Sequence, residues 1–250
     1  LANAANNDCS AFGQNSAATA FCCSAFGKSS LSNATGCSAF GESARATITN
    51  CSSFGQTAQA TNTDCSAFGQ NARATGTLCA AFGRSSLADD ANCSAFGHFS
   101  RATNVDCSAF GQTAQAAGLE CSAFGHISRA TGTDCSAFGQ NSEATAVECS
   151  AFGQNSRATN TDCSAFGQLS QAIGIGSSAF GRNANVSSGH GLALGAGASV
   201  TALGGTGSYV ALGSGTYPLN TVASVGTVNT YLLVRLNNGA FLFAIPLYNL

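Results

Sequence analysis

Twelve cysteines, Cys9, Cys23, Cys37, Cys51, Cys65, Cys79, Cys93, Cys107, Cys121, Cys135, Cys149 and Cys163, recur at a fixed interval of 14 residues, with Cys22 as an extra. Thiols in such number can ligate soft metals, exchange electrons or pair as disulfides. Zinc sites use C-x2-C pairs, and no histidine keeps step with this ladder: His98 and His126 are two repeats apart and His190 stands alone. Neither a metal centre nor a redox relay is expected. Disulfides between neighbouring repeats are geometrically conceivable. The favoured reading is buried free thiols used as small apolar fillers, since Ser177 takes the same position in the next repeat. Such thiols fit assembly in a reducing cytoplasm, because they would risk scrambling in an oxidising compartment. No nucleophile with a base, carboxylate dyad or phosphate loop accompanies them, so the chain does not read as an enzyme and no cofactor is expected.

The elements that position these cysteines are stacked copies of one unit, because an unbroken period implies a repeat architecture. With Cys as position 1, position 3 is Ala except at Ser53, position 4 is Phe and position 5 is Gly throughout. Position 8 is Ser or Ala, and position 10 is Ala apart from Ser32 in the twelve Cys-led repeats. Two short segments therefore alternate with the period of a strand. Fourteen residues accommodate two strands of about five residues each, joined by tight turns. Gly at position 5 and the Asn or Gly common at position 12 are expected to supply the positive φ those turns need. The expected fold is all-β, a flattened two-walled β-roll of 14-residue coils.

Small residues at positions 1, 3, 8 and 10 can meet across a narrow interior, which turns position 4 outward. The residues so placed are Phe12, Phe26, Phe40, Phe54, Phe68, Phe82, Phe96, Phe110, Phe124, Phe138, Phe152, Phe166 and Phe180, continued by Leu194. At about 4.8 Å per coil the aromatic stripe would run roughly 60 Å. Burying its rings would contribute roughly 1.5–3 kcal/mol each, an upper bound because the unfolded chain already hides part of them. Rotational symmetry about the long axis would let three chains share one core, so an obligate homotrimer is expected, with Phe at its centre. The alternative places Phe inside a wider monomeric coil, which would need large partners at positions 8 and 10, where Ala and Ser stand.

On the second wall, position 9 carries Arg45, Arg73, Arg101, Arg129 and Arg157 in every second coil. That alternation reads as a solvated face rather than a nucleic-acid patch, and charged residues are only 8% of a chain with formal net charge −2. Position 11 is Thr in eight of twelve coils, a row that invites an ice-binding reading but is single and broken at Asn33, Asp89, Ala117 and Ile173. No apolar run reaches the roughly 20 residues a membrane helix needs, so no membrane insertion is expected.

Composition divides the chain. A regular shaft is expected over residues 1–181, shortened aliphatic coils over 182–213 and a β cap over 214–250. The shortening is read from Leu194, Leu203 and Leu212, which follow one another at a spacing of nine, and the cap from two apolar runs around Asn237-Asn238-Gly239. The cap candidates are Tyr231, Leu233, Phe241, Phe243, Ile245 and Tyr248. The chain begins at Leu1 already in phase, which suggests a fragment or processed form of something longer.

Asp162-Cys163-Ser164-Ala165-Phe166-Gly167, followed by Gln168, Leu169 and the small-x-small segment Ser170-Gln171-Ala172, resembles the 14-residue unit of trimeric autotransporter adhesin heads. The likeness covers residues 1 to about 213 and implies a left-handed parallel β-roll solenoid, homotrimeric, that binds surfaces. Cys, Ser and Phe replace the Ser, Val and Ile of those units, and the stalk and barrel anchor of that family are not in this sequence. The C-terminal segments Tyr231–Leu236 and Ile245–Tyr248 look instead like short β-segments of phage and viral structural proteins. The function expected is therefore the shaft of a viral or phage fibre, used in attachment to a host surface. The alternatives are the head of a bacterial surface adhesin and an ice-binding solenoid. The expected partners are the chain itself, a virion or cell-surface base and a host receptor of unknown identity, with no nucleic acid. The expected location is the virion surface or the extracellular space, or the bacterial cell surface under the alternative.

Overall fold

The computed structural model describes residues 1–201, 208–213, 222–225, 231–235 and 242–246. Among them there is no helix, and the chain is an all-β parallel solenoid of about 14 turns. It divides into two compact units, Leu1–Ser128 and Arg129–Leu250.

In the first unit, three-residue strands from Ser10–Phe12 to Ser122–Phe124 form one parallel wall. Two-residue strands from Asn3–Ala4 to Gln115–Ala116 form the other. Register is strict: Ser66, Ala67 and Phe68 lie over Ala80, Ala81 and Phe82, and Arg73 lies over Leu87. A parallel sheet normally needs long crossovers. Here the opposite wall and two turns are the crossover, so every residue meets its own repeat position in the next coil.

Strands of three and two residues correct the expectation of about five. The turns take the rest of each coil, and they bend at positions other than position 12. Positive φ falls at position 5 (Gly69, 134°), at position 7 (Asn71, 57°) and at position 14 (Asp64, 54°). These conformations let each turn bond to the coil before it: Gly69 N–H donates to the Phe54 carbonyl at 2.7 Å, and Asn71 N–H to the Gln56 carbonyl at 2.9 Å. The register of a solenoid is thus held at its corners as well as in its walls.

The interior is filled by small side chains. Cys65, Ala67, Ala72 and Ala74, at positions 1, 3, 8 and 10, are fully buried, and from Cys23 onward their counterparts are buried in both units, Cys9 and Ala11 of the end coil being half-buried. Such a core draws on close packing of the two walls rather than on large side chains.

In the second unit the same walls run from Arg129–Ala130 to Ser199–Val200 and from Ser136–Phe138 to Ser208–Leu212. The interior changes by compensation. Position 1 shrinks from Cys163 through Ser177 to Gly191, while position 10 grows from Ala172 to Val186 and Val200, both buried. A Cβ added to Gly191 would lie 2.5 Å from Val186 Cγ1, so the volume lost on one wall is taken up by the other. Past Gly195, Leu194 pairs with Leu212 along the three-residue wall. Residue Leu203, on which the nine-residue step read from the sequence rested, lies outside the described residues.

Val222–Val225 then pairs antiparallel with Ser208–Leu212, and Tyr231–Arg235 pairs antiparallel with Leu242–Pro246. This pairing contains Tyr231, Leu233, Phe243 and Ile245, whereas Phe241 and Tyr248 lie outside the described residues.

Candidate functional site

Two features recur in every coil and bear chemistry, one inside the roll and one outside it. Inside, each ladder thiol donates to a carbonyl eleven residues on: Cys23 Sγ to Ala34 O at 2.8 Å, Cys51 Sγ to Asn62 O at 2.6 Å and Cys163 Sγ to Gly174 O at 2.9 Å. Position 12 turns its carbonyl inward, away from both walls. A buried carbonyl without a donor is costly, so a thiol here is a latch on the turn as well as a filler, which its recurrence alone did not reveal. The thiols of Cys23, Cys37, Cys51, Cys65, Cys79, Cys93, Cys107, Cys149 and Cys163 are buried and free, Cys9 is half-buried and Cys22 exposed.

The ladder is dry. The buried polar groups of the roll are serines, with no cation among the described residues. The hydrogen bond to Cys51, then burial, push the Cys37 thiol far up. Cys93 and burial do the same to Cys79, and Cys149 and burial to Cys163. Other thiols of the ladder move the other way: Cys65 is lowered to about 7 by the hydrogen bond to Cys51, Cys107 to about 6 by that to Cys121, and Cys93 is lowered by Cys79, so raised and lowered thiols share the ladder, all of them buried. Among the described residues no group of three or more His, Cys, Asp or Glu side chains could hold a metal ion.

Outside, the phenylalanines stack in columns on the three-residue wall. In the first unit successive rings from Phe26 to Phe124 lie 4.7–4.8 Å apart with planes within 8° of parallel. Phe12, at the end, is 5.8 Å from Phe26 and 72% exposed. In the second unit Phe138, Phe152, Phe166 and Phe180 stack at 4.7–5.1 Å, and Leu194 and Leu212 follow along the same wall, exposed. The rings point away from their own coils, since the interior is occupied by Cys, Ala and Ser. Most are half-exposed: each covers its neighbour's face and leaves its edge open. Parallel strands impose this offset, because side chains at one position stack at the strand spacing.

Polar ladders flank the aromatic wall, a pattern the sequence reading did not single out. At position 6, Gln70 donates to Gln56 at 2.9 Å and Gln168 to Gln154 at 2.9 Å. Arg84 Nε donates to His98 Nε2 at 2.7 Å and its guanidinium lies over the Phe99 ring. The recurrence of Gln at that position was the available signal.

On the two-residue wall, Arg129 and Arg157 both reach Glu143, at 3.6 and 3.1 Å. Arg45, Arg73 and Arg101 are exposed.

The family profile described as nucleoporin FG repeat region matches residues 2–97 and again 80–209. These spans cover the Phe-Gly pairs from Phe12-Gly13 to Phe180-Gly181, which are the turn glycines and the outward rings described above. No curated protein matches the chain.

Proposed function

From the premise that this chain belongs to the nucleoporin FG repeat region family, with its Phe-Gly pairs held in solenoid register, we propose a structural repeat protein whose aromatic wall binds further copies of itself. The observation that carries this reading is the ring column: a ladder of half-exposed phenylalanines, continuous from Phe12 to Phe124 within one unit. Monomers rarely leave a contiguous apolar surface of that extent in water. Threefold association about the column would give each chain the same surroundings, and the product would be a fibre shaft. The likeness of the repeat to adhesin heads supports a role in surface attachment, as a viral or phage fibre or as a bacterial adhesin head. The antiparallel pair near the C-terminus would close its end.

The open ring edges also admit a second reading, in which the rings serve unlike protein partners rather than copies. Sedimentation equilibrium separates the two. A stable trimer across micromolar concentrations is expected under the first. A dispersed monomer would overturn it and leave the second.

A further inference from the structure

We propose that the two-residue wall of the first unit binds a linear acidic polysaccharide carrying one acid group per disaccharide. The proposal names a ligand class for attachment and so rests on that reading, although it concerns the wall opposite the rings. Arg45, Arg73 and Arg101 stand on strands Arg45–Ala46, Arg73–Ala74 and Arg101–Ala102, exposed, with Gln59 and Leu87 between them. Among the described residues none of the three makes an ion pair, whereas in the second unit Glu143 occupies the intervening coil and pairs with both Arg129 and Arg157. The row is therefore partly neutralised in the second unit and left open in the first.

The lattice has a definite pitch. Strand spacing is about 4.8 Å, so guanidiniums in alternate coils recur at roughly 9.6 Å. A nucleic-acid strand repeats its charge at about 3.4 Å in a duplex, far too densely for that row. A polysaccharide acidic on every second sugar repeats at two sugar lengths, close to two strand spacings. Guanidinium forks suit carboxylates and sulfates in a bidentate way. Alongside run Thr61, Thr75 and Thr103, half-exposed at position 11, whose hydroxyls suit sugar hydroxyls. Asp89 is the one carboxylate in that row and is exposed; its side chain accepts from Thr75 Oγ1.

The test is fluorescence anisotropy with a labelled hyaluronan decasaccharide at low salt, using the full chain. The unmodified protein should bind, and Arg45→Gln/Arg73→Gln/Arg101→Gln should abolish binding with the circular dichroism unchanged. Leu87→Glu, which copies the Glu143 arrangement, should weaken binding about tenfold, the range of one charge-assisted contact, while Asp89→Asn should tighten it. Absent binding by the unmodified protein, unchanged affinity in the triple variant, or equal competition by single-stranded DNA of matched charge would each overturn the proposal. Sedimentation of the same samples keeps the two readings apart: a monomer that binds sinks the assembly but not this site, and a trimer that does not bind sinks the site alone.

Discussion

In its Cys-led coils the roll has room for little more than a methyl, a hydroxyl or a thiol at each inward position, so single atoms decide its energetics. Ser32 and Ser53 stand where other coils place Ala, and each hydroxyl is buried without a hydrogen-bond partner. Position-8 serines differ: Ser30 Oγ donates to the Gly27 carbonyl at 3.0 Å, three residues back. A buried hydroxyl without a partner costs about 1–3 kcal/mol. Ser53→Ala should therefore stabilise the chain by about 1 kcal/mol in urea denaturation, and a loss of stability would show that the hydroxyl has a use. The thiols give a pH dependence. Cys37, Cys79 and Cys163 are raised by the neighbouring thiol and then by burial. A raised folded value contributes stability that is complete below the unfolded thiol value of about 8.5 and is lost as pH rises above it. Cys65 and Cys107 are lowered, to about 7 and about 6, by the neighbouring thiol's hydrogen bond, and their contribution grows as pH rises toward the unfolded value. Above that value the raised thiols alone set the sign, so the denaturation midpoint should fall between about pH 9 and 10; a midpoint that rose over that range would contradict protonated thiols at Cys37, Cys79 and Cys163.

The coil is the unit of stability at the next scale, and its corners are its most constrained part. Gly69 adopts φ +134°, and a Cβ built there would lie 2.5 Å from the Gly83 carbonyl oxygen of the next coil. Both backbone strain and a backbone clash oppose any side chain, so Gly69→Ala should cost several kcal/mol, on the order of the larger effects known for single substitutions. Thermal unfolding checks this: a shift of under a degree would mean the coils can spread. The constancy of Gly made this corner legible in the sequence, as did the inward set Cys, Ala, Ser and Ala. The other corners were not legible. Positions 7 and 14 hold left-handed residues as varied as Asn15, Thr57, Phe99, Ile127, Asp64, Leu78 and Glu148. Their conformation is imposed by bonds to the coil before, such as Asn50 N–H to the Thr35 carbonyl at 3.0 Å, and such long-range constraints override local preference. The inward carbonyl at position 12, and with it the reason for a donor such as Cys over Val, was hidden for the same cause: it depends on a turn path that no residue type announces.

At the scale of the whole molecule the question is what covers the rings. Stacking within one chain already shields their faces: Phe68 and Phe82 lie 4.7 Å apart with planes within 5°. What association has left to bury is the ring edges, worth half of a full side-chain transfer, or about 1 kcal/mol per ring. Over the column from Phe12 to Phe124 this small increment accumulates in every coil, so assembly should be cooperative in length and insensitive to any one ring. Phe82→Ser alone should leave the sedimenting species unchanged. Phe68→Ser/Phe82→Ser/Phe96→Ser, which opens a gap of three coils in mid-column, should yield a smaller species at low micromolar concentration. Because these side chains lie outside the roll, the far-ultraviolet spectrum should keep its β signature in both variants. Dissociation without unfolding would assign the rings to contacts between chains, whereas loss of the β signature together with the assembly would make the column a support of the coil itself.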